Sequence, residues 1–391
     1  MFSPAFEKLV EAIPVSSDSR IDWEKIGETP LGEHLLRMEK TPQNPAYHAE
    51  GDVLTHTKMV CEALISLDGY KNASREDRIL LFLAALMHDI GKPAVTKLKD
   101  GEWTSPRHTS AGANIARALL WRDFSLSGNG MAQNFRESLC ALIRYHSFPP
   151  NALKEENPLP KFIKIASVGE LATGFSLRKL CLLEKADAMG RIAEGGSDYP
   201  ERIDYCEMLA EEYGVADAPF PFEDAYSKRA FFRGKTSRPA DMLYNGGFGE
   251  VIVMSGLPGT GKDTWIAKNF PDTPIISLDE IRKRLGFAPS ETPGEVVVYA
   301  HEEAKKLLRK EKTFIWNATS LFPLLREKQI TLFEQYGASV RTVFLETSWE
   351  EGISRNKNRK AEVPIGVIEK MLAKLEPPLP FECERVNWEI T

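Results

Sequence analysis

Long apolar runs are the first thing this sequence lacks. No uninterrupted stretch approaches the roughly 20 residues that span a bilayer, so no membrane-crossing helix is expected. The start, MFSPAFEKLVEAIP, is acidic and amphipathic, without the basic opening and apolar centre of a signal peptide. Cysteine is scarce: five residues, odd in number and scattered, with no CxxC pair. They read as reduced, mostly buried thiols in a cytoplasmic protein. An excess of positive charge is also missing. The net charge is −6, with 30 Lys and Arg against 35 Asp and Glu before Gly249 and 20 against 21 from there on. Neither part coats a duplex through long-range attraction, so a polynucleotide substrate would be gripped by its end, in a pocket. Internal repeats and low-complexity tracts are absent too.

What is present is enough chain for two or three cores: 391 residues, 42% hydrophobic and 27% charged, as in an ordinary globular protein. From residue 23 to 212 apolar residues recur at helical spacing, in segments such as Val53–Leu67, Arg78–Met87, Ala111–Leu120, Asn134–Tyr145 and Leu177–Arg191. β-Branched runs are few, and 1–212 is expected to be all-α. The pattern dissolves over 213–248, taken as a connector. Its Lys228, Arg229, Arg233, Lys235 and Arg238, interleaved with Phe231 and Phe232, read either as a backbone contact to nucleic acid or as a solvated linker with its aromatics packed on one domain. Over 249–391 short apolar strands at Glu250–Ser255, Ile275–Leu278, Thr313–Trp316 and Val340–Leu345 alternate with helical stretches. Such alternation predicts an α/β domain with a central parallel sheet. The whole is a multidomain chain, all-α followed by α/β.

Gly256-Leu-Pro-Gly259-Thr260-Gly261-Lys262 follows a strand and precedes a helix, the setting that gives a GxxxxGK match its meaning as a P-loop. Glycines let backbone N–H groups approach phosphates, the helix start favours the anion, and Lys262 reaches the β- and γ-phosphates of ATP or another NTP. The residue expected to ligate Mg²⁺ through a hydroxyl is Asp263, followed by Thr264. A carboxylate holds Mg²⁺ directly or through water, or Thr264 supplies the hydroxyl. Asp279, at the end of the second strand, which is expected beside the P-loop strand, is placed to accept the proton of an attacking hydroxyl, or to cap a helix. Arg282 lies one helical turn on, facing the same cleft or solvent. Arg355, Lys357, Arg359 and Lys360 suit a lid over the transferring phosphoryl group, or a solvated basic helix.

The first domain carries six of the seven histidines. His56, the adjacent pair His88-Asp89, and the distant Asp187 lie on separate helical segments and together form one ligand set. His108 and His146 offer imidazoles for a second ion, with Asp89 bridging. Imidazole with carboxylate suits a divalent transition metal or zinc, one ion or two. Lys92 and Arg191, each four residues after a ligand, would neutralise developing negative charge, or stand as exposed helix charges. His48 is read as a substrate contact rather than a ligand, and His34 and His301 as structural.

Two resemblances gather these motifs. GLPGTGK, SLDEIR, WNAT and SRNKNRKAEVP resemble the kinase domain of polynucleotide 5′-kinase/phosphatase end-healing enzymes over residues 249–364. That resemblance implies Asp279 as general base, Arg282 on the acceptor's phosphate, and Arg355 and Arg359 on the ATP phosphates. MHDIGKP, with the histidines around it, resembles the HD phosphohydrolase superfamily over residues 47–191. NPAYHAEGDVLTHT is similar to the HD domain of some bacterial tRNA nucleotidyltransferases, a subgroup associated with 2′,3′-cyclic phosphodiesterase and 2′-phosphatase activity. The combination resembles bacterial HD-type polynucleotide phosphatase–kinases. It implies polynucleotide ends as substrate, a ligase as possible partner, and end healing as function. A nucleotide or small-molecule kinase fused to a nucleotide phosphohydrolase, and an ATP-gated sensor, are the competing expectations.

Overall fold

The computed structural model describes residues 3–15, 20–192, 198–287, 294–359 and 362–391. The chain divides into two units, one of Met1–Leu126 with Met131–Phe220 and the other of Ser127–Gly130 with Pro221–Thr391.

The first unit is helical. Helix α1 (Val53–Ser66) starts where the Asp52 carboxylate accepts from the Thr55 N–H, and α2 (Arg75–Met87) where Ser74 accepts from Asp77. Glu76 and Asp77 in the first turn of α2 complement the positive end of its dipole. From Ile79 to Met87 this helix is buried all round, as a helix at the centre of a core must be. The chain leaves α2 at His88-Asp89. Gly91 follows because α3 (His108–Ala118) passes so close that a Cβ there would stand 2.2 Å from the His108 carbonyl oxygen. Helix α4 (Gly130–Tyr145) ends at His146, and α5 (Leu177–Met189) packs on α1 and α2. One feature departs from the all-α expectation. Strands β1 (Lys97–Lys99) and β2 (Glu102–Thr104) form an antiparallel hairpin, with Leu98 paired to Trp103. Three-residue strands exposed on both faces carry no periodic signal.

The second unit opens with α6 (Ala225–Phe232), inside the stretch expected to be a connector. Arg229 of this helix and Arg233, just past its end, pair with Glu334 at 2.6 and 2.7 Å, and Phe231 is buried. Those groups are tied into the packing of this unit. A five-stranded parallel sheet follows: β3 (Phe248–Ser255), β4 (Ile275–Ser277), β5 (Phe314–Asn317), β6 (Ala338–Glu346) and β7 (Arg385–Ile390). Its order is β4-β5-β3-β6-β7. Val251, Val253, Phe314 and Trp316 face one apolar layer, and Ile252, Met254, Ile315 and Val343 the other. Burial on both faces is why these strands read as continuous apolar runs.

Two sequence expectations change here. The strand β4 that carries Asp279 at its tip is not beside the P-loop strand; β5 lies between them. Chain order does not set spatial order when each crossover is free to skip a position. The edge strand β7 was absent from the four-strand reading, because RVNWEI is half-exposed and polar at alternate positions.

Candidate functional site

In the helical unit, six predicted ligands converge. His56 comes from α1, His88 and Asp89 from the end of α2, His108 from the start of α3, His146 from just beyond α4 and Asp187 from α5. Potential ligand atoms of His56, His88 and Asp187 all lie within 4.8 Å of one another, and so do those of Asp89, His108 and His146. Asp89 joins the two groups. Its Oδ2 is 3.2 Å from His88 Nε2 and 3.9 Å from His56 Nε2, while its Oδ1 is 3.6 Å from His108 Nε2.

Ring orientation follows from the backbone. His88, His108 and His146 each direct Nδ1 at the carbonyl three residues earlier, of Ala85, Ser105 and Ile143, at 2.8, 3.0 and 2.8 Å. A carbonyl only accepts, so Nδ1 carries the proton and Nε2 presents its lone pair to the centre. The His108 and His146 Nε2 atoms stand 3.2 Å apart, with two lone pairs facing each other. His56 Nε2 lies 2.9 Å from Asp187 Oδ1, and its Nδ1 lies 2.8 Å from Glu50 Oε1. Among the described residues the buried atoms His88 Nε2 and Asp89 Oδ1 have no hydrogen-bond partner, and His56 Nε2 and Asp187 Oδ1 meet each other across the same space. Orphaned nitrogen and oxygen donors aimed at common points fit divalent metal ions.

The surrounding electrostatics favour that fit at Asp89 and His146, whereas a metal at His56 must displace a proton. Burial would raise the Asp89 carboxyl, but Lys92, with Nζ 2.6 Å from Oδ2, and His88 outweigh it and hold it well below the usual carboxylate range. Burial pushes His146 down to about 3 and His48 to about 4, keeping both neutral. His56 behaves oppositely: burial alone would lower it, yet Asp187 and Glu50 bring it to about 9. Arg191 Nη2 holds Asp187 Oδ2 at 2.8 Å, and Lys92 also donates to Gln43 Oε1 at 2.6 Å. Three groups here were missed from the sequence. Gln43 orients Lys92. Glu50 lies 2.8 Å from Nδ1 of both His48 and His56. Glu184 is buried, one turn before Asp187, and burial reinforced by Asp187 lifts its carboxyl well above the usual range. Glu184 was findable by its spacing, since i−3 from a ligand shares the helix face. The cavity over this cluster measures about 460 Å³.

In the α/β unit, β3 runs into the glycine loop, and α7 (Lys262–Asn269) begins at Lys262. Gly259 has φ +86°, and a Cβ there would stand 2.2 Å from the Gly352 carbonyl oxygen of α10 (Trp349–Lys357), so the loop tolerates only glycine at that point. Lys262 Nζ donates to the Gly256 and Leu257 carbonyls, both at 2.9 Å, and burial lowers it to about 8. The Thr260 hydroxyl folds back onto Leu257 O at 2.9 Å. Asp263 Oδ1 accepts from Asn317 Nδ2 at 2.7 Å, and Thr264 is exposed on the same helical turn.

Helix α8 (Leu278–Arg284) is capped by Ser277, which accepts from Glu280 N. Asp279 therefore is not the cap, and its carboxylate faces the cleft. Arg282 Nη1 lies 2.6 Å from its Oδ1, and Arg359 Nη2 3.7 Å from its Oδ2. These groups, with Asp263 and Asn317, line a cavity of about 1530 Å³, which α9 (Gly294–Leu308) borders through Glu303, Lys306 and Leu307. Arg355 stands at the loop itself, where a Cβ on Gly261 would meet its Nη1 at 3.6 Å. It is held by Glu351 Oε1 at 2.7 Å. The basic segment expected as a lid is helical through Lys357, and Asn356 brackets it by exchanging two hydrogen bonds with the Val363 backbone. Lys360 lies outside the described residues. His301 stacks on Trp316 with ring centroids 5.4 Å apart.

Comparison with known proteins follows this division. Residues 53–170 match the HD domain family, and residues 251–378 match an AAA domain family. A multifunctional CCA protein of Halorhodospira halophila is 33% identical over 167 residues, covering 41% of this chain and 34% of that protein. A multifunctional CCA protein of Hahella chejuensis is 28% identical over 183 residues, covering 45% and 39%. The chain thus spans little more than a third of the length of these curated relatives. No described helix is long and apolar enough to cross a membrane. The chain joins a helical unit similar to the HD domain family to a P-loop α/β unit, built on a five-stranded parallel sheet, similar to an AAA domain family.

Proposed function

We propose that this chain heals broken RNA ends, phosphorylating 5′-hydroxyls from an NTP and hydrolysing 2′,3′-cyclic phosphate or 2′-phosphate ends. The observation that carries the reading is the acceptor side of the P-loop. A carboxylate, Asp279, flanked by Arg282 and Arg359, opens on a cavity of about 1530 Å³. Small-molecule pockets run to roughly 1,000 Å³, so the space suits a chain end better than a free metabolite.

On the kinase side Asp279 accepts the proton of the 5′-hydroxyl as its oxygen bonds to the γ-phosphorus and the β,γ-bridging bond breaks. Lys262 and Arg355 hold the phosphates, and Arg282 the acceptor's own phosphate. Mg²⁺, held by Asp263 or by the Thr264 hydroxyl, neutralises phosphate charge when bound. On the HD side His56, His88, Asp89 and Asp187 would hold one metal, and His108 and His146, with Asp89 bridging, a second. Such ions supply a lowered pKa for water and a clamp on phosphate oxygens. Lys92 and Arg191 add positive charge where the ester bond breaks. Similarity to proteins named for CCA supports a nucleotide-related substrate. A cytoplasmic location and a ligase that consumes the healed ends complete the proposal. Transfer of label from γ-³²P-ATP to a 5′-hydroxyl oligonucleotide, lost in Lys262→Ala, is the expected result. Turnover of free nucleotides or sugars with no oligonucleotide labelled would favour a small-molecule kinase instead.

A further inference from the structure

Two large aromatic side chains line the histidine–aspartate cavity while standing partly in solvent. Tyr47 is 57% exposed and Trp103 is 36% exposed, and both line the same cavity as Asp89, Asp187 and His146. Trp103 projects from the β1–β2 hairpin, whose cross-strand neighbour Leu98 is itself 58% exposed, so neither fills a core. The hairpin is joined to the loop bearing Tyr47 by Asn44 Nδ2, which donates to Glu102 Oε2 at 3.5 Å. The floor of the cavity is polar and charged, while its rim is aromatic.

We propose that Trp103 and Tyr47 form a base-stacking subsite that holds the nucleobase of the nucleotide whose phosphate reaches the Asp89 cluster. The volume favours this occupant. About 460 Å³ is far more than a phosphate needs and lies in the range that encloses an organic ligand. Flat aromatic faces recognise any base by stacking, without reading its hydrogen-bonding edge. Glu102, a carboxylate lining the same cavity, is an acceptor for a base amino group. The inference rests on the hydrolytic reading of this site and gives it a substrate class: nucleotides and nucleotide ends, in preference to base-free phosphate esters.

The test uses the full, metal-loaded chain with its P-loop saturated by a non-hydrolysable ATP analogue. Steady-state constants are measured on a nucleoside 2′,3′-cyclic phosphate and on the base-free methyl riboside 2′,3′-cyclic phosphate. Trp103→Ala should raise KM for the nucleoside substrate about 5- to 150-fold, the range of one lost stacking contact, and leave the base-free substrate unchanged. Trp103→Phe should stay near wild type, and Tyr47→Ala should move in the same direction as Trp103→Ala. Calorimetric binding of a nucleoside 2′-monophosphate should weaken by the same ratio. That measurement separates the two ideas: absent hydrolysis with Trp103-dependent binding would overturn the hydrolytic reading and keep the subsite. Equal loss on both substrates, or nucleotide binding indifferent to Trp103 and Tyr47, would overturn the subsite.

Discussion

Replacing Asp89 by asparagine separates what this residue does for the fold from what it does for metal. Its Oδ2 is 2.6 Å from Lys92 Nζ, and the two side chains are 2% and 11% exposed. Asparagine keeps the shape but removes the charge, leaving a buried ammonium with Gln43 alone. Breaking a buried pair from one side costs about 3–5 kcal/mol. For a unit of roughly 200 residues this lowers the melting transition by about 6–20 °C. The double variant Asp89→Asn/Lys92→Met removes both charges and should regain most of that loss in chelator-treated protein. Metal binding should not return in either variant, because a neutral amide is a weaker ligand for a divalent ion than the carboxylate it replaces. Sign follows from the carboxyl's depressed pKa: the pair stabilises the fold above the ordinary carboxylate pKa of about 3.9, and the contribution is lost as pH falls below it. Circular dichroism melts with metal analysis read both effects. A single variant as stable as wild type, or a double variant no more stable than the single, would refute the reasoning.

Lys262, lowered to about 8 by burial, is protonated below that pH and loses its proton above it. ATP affinity should therefore fall as pH rises through 8, with proton uptake on binding near pH 8.5; calorimetry in buffers of different ionisation heat that found no uptake would contradict this. Asp279→Asn should lower kcat of phosphoryl transfer by about 10²–10⁴ while ATP binding is kept, and an unchanged kcat would remove Asp279 as the base. Asn317 fixes the Asp263 carboxylate beside the acceptor cavity. Asp263→Ala should consequently raise the Mg²⁺ concentration for half-maximal kinase activity more than Thr264→Val does, and the reverse order would assign the metal to the hydroxyl.

Much of the site was legible because its chemistry is local. The glycine loop is defined by consecutive residues whose backbone must bend around phosphate, and His88-Asp89 by the turn at the end of one helix. The other ligands were reachable through their residue type, since buried imidazoles and carboxylates demand partners. What depends on distant pairing was not legible. The place of β5 between β3 and β4 is fixed by how crossovers pack, and no local pattern encodes it. Glu50 looks like a surface acid in a loop until that loop folds across α1 and brings it to His56. The β1–β2 hairpin is too short for a period, so the aromatic rim it presents emerged only from the fold.

One substrate tests the central claim most directly: an RNA oligonucleotide with a 5′-hydroxyl and a 2′,3′-cyclic phosphate, incubated with ATP and metals and resolved by mass. Wild type should convert both ends, Asp89→Ala only the 5′ end, and Lys262→Ala only the 3′ end. An RNA that keeps both its original ends with the wild-type protein would contradict the account.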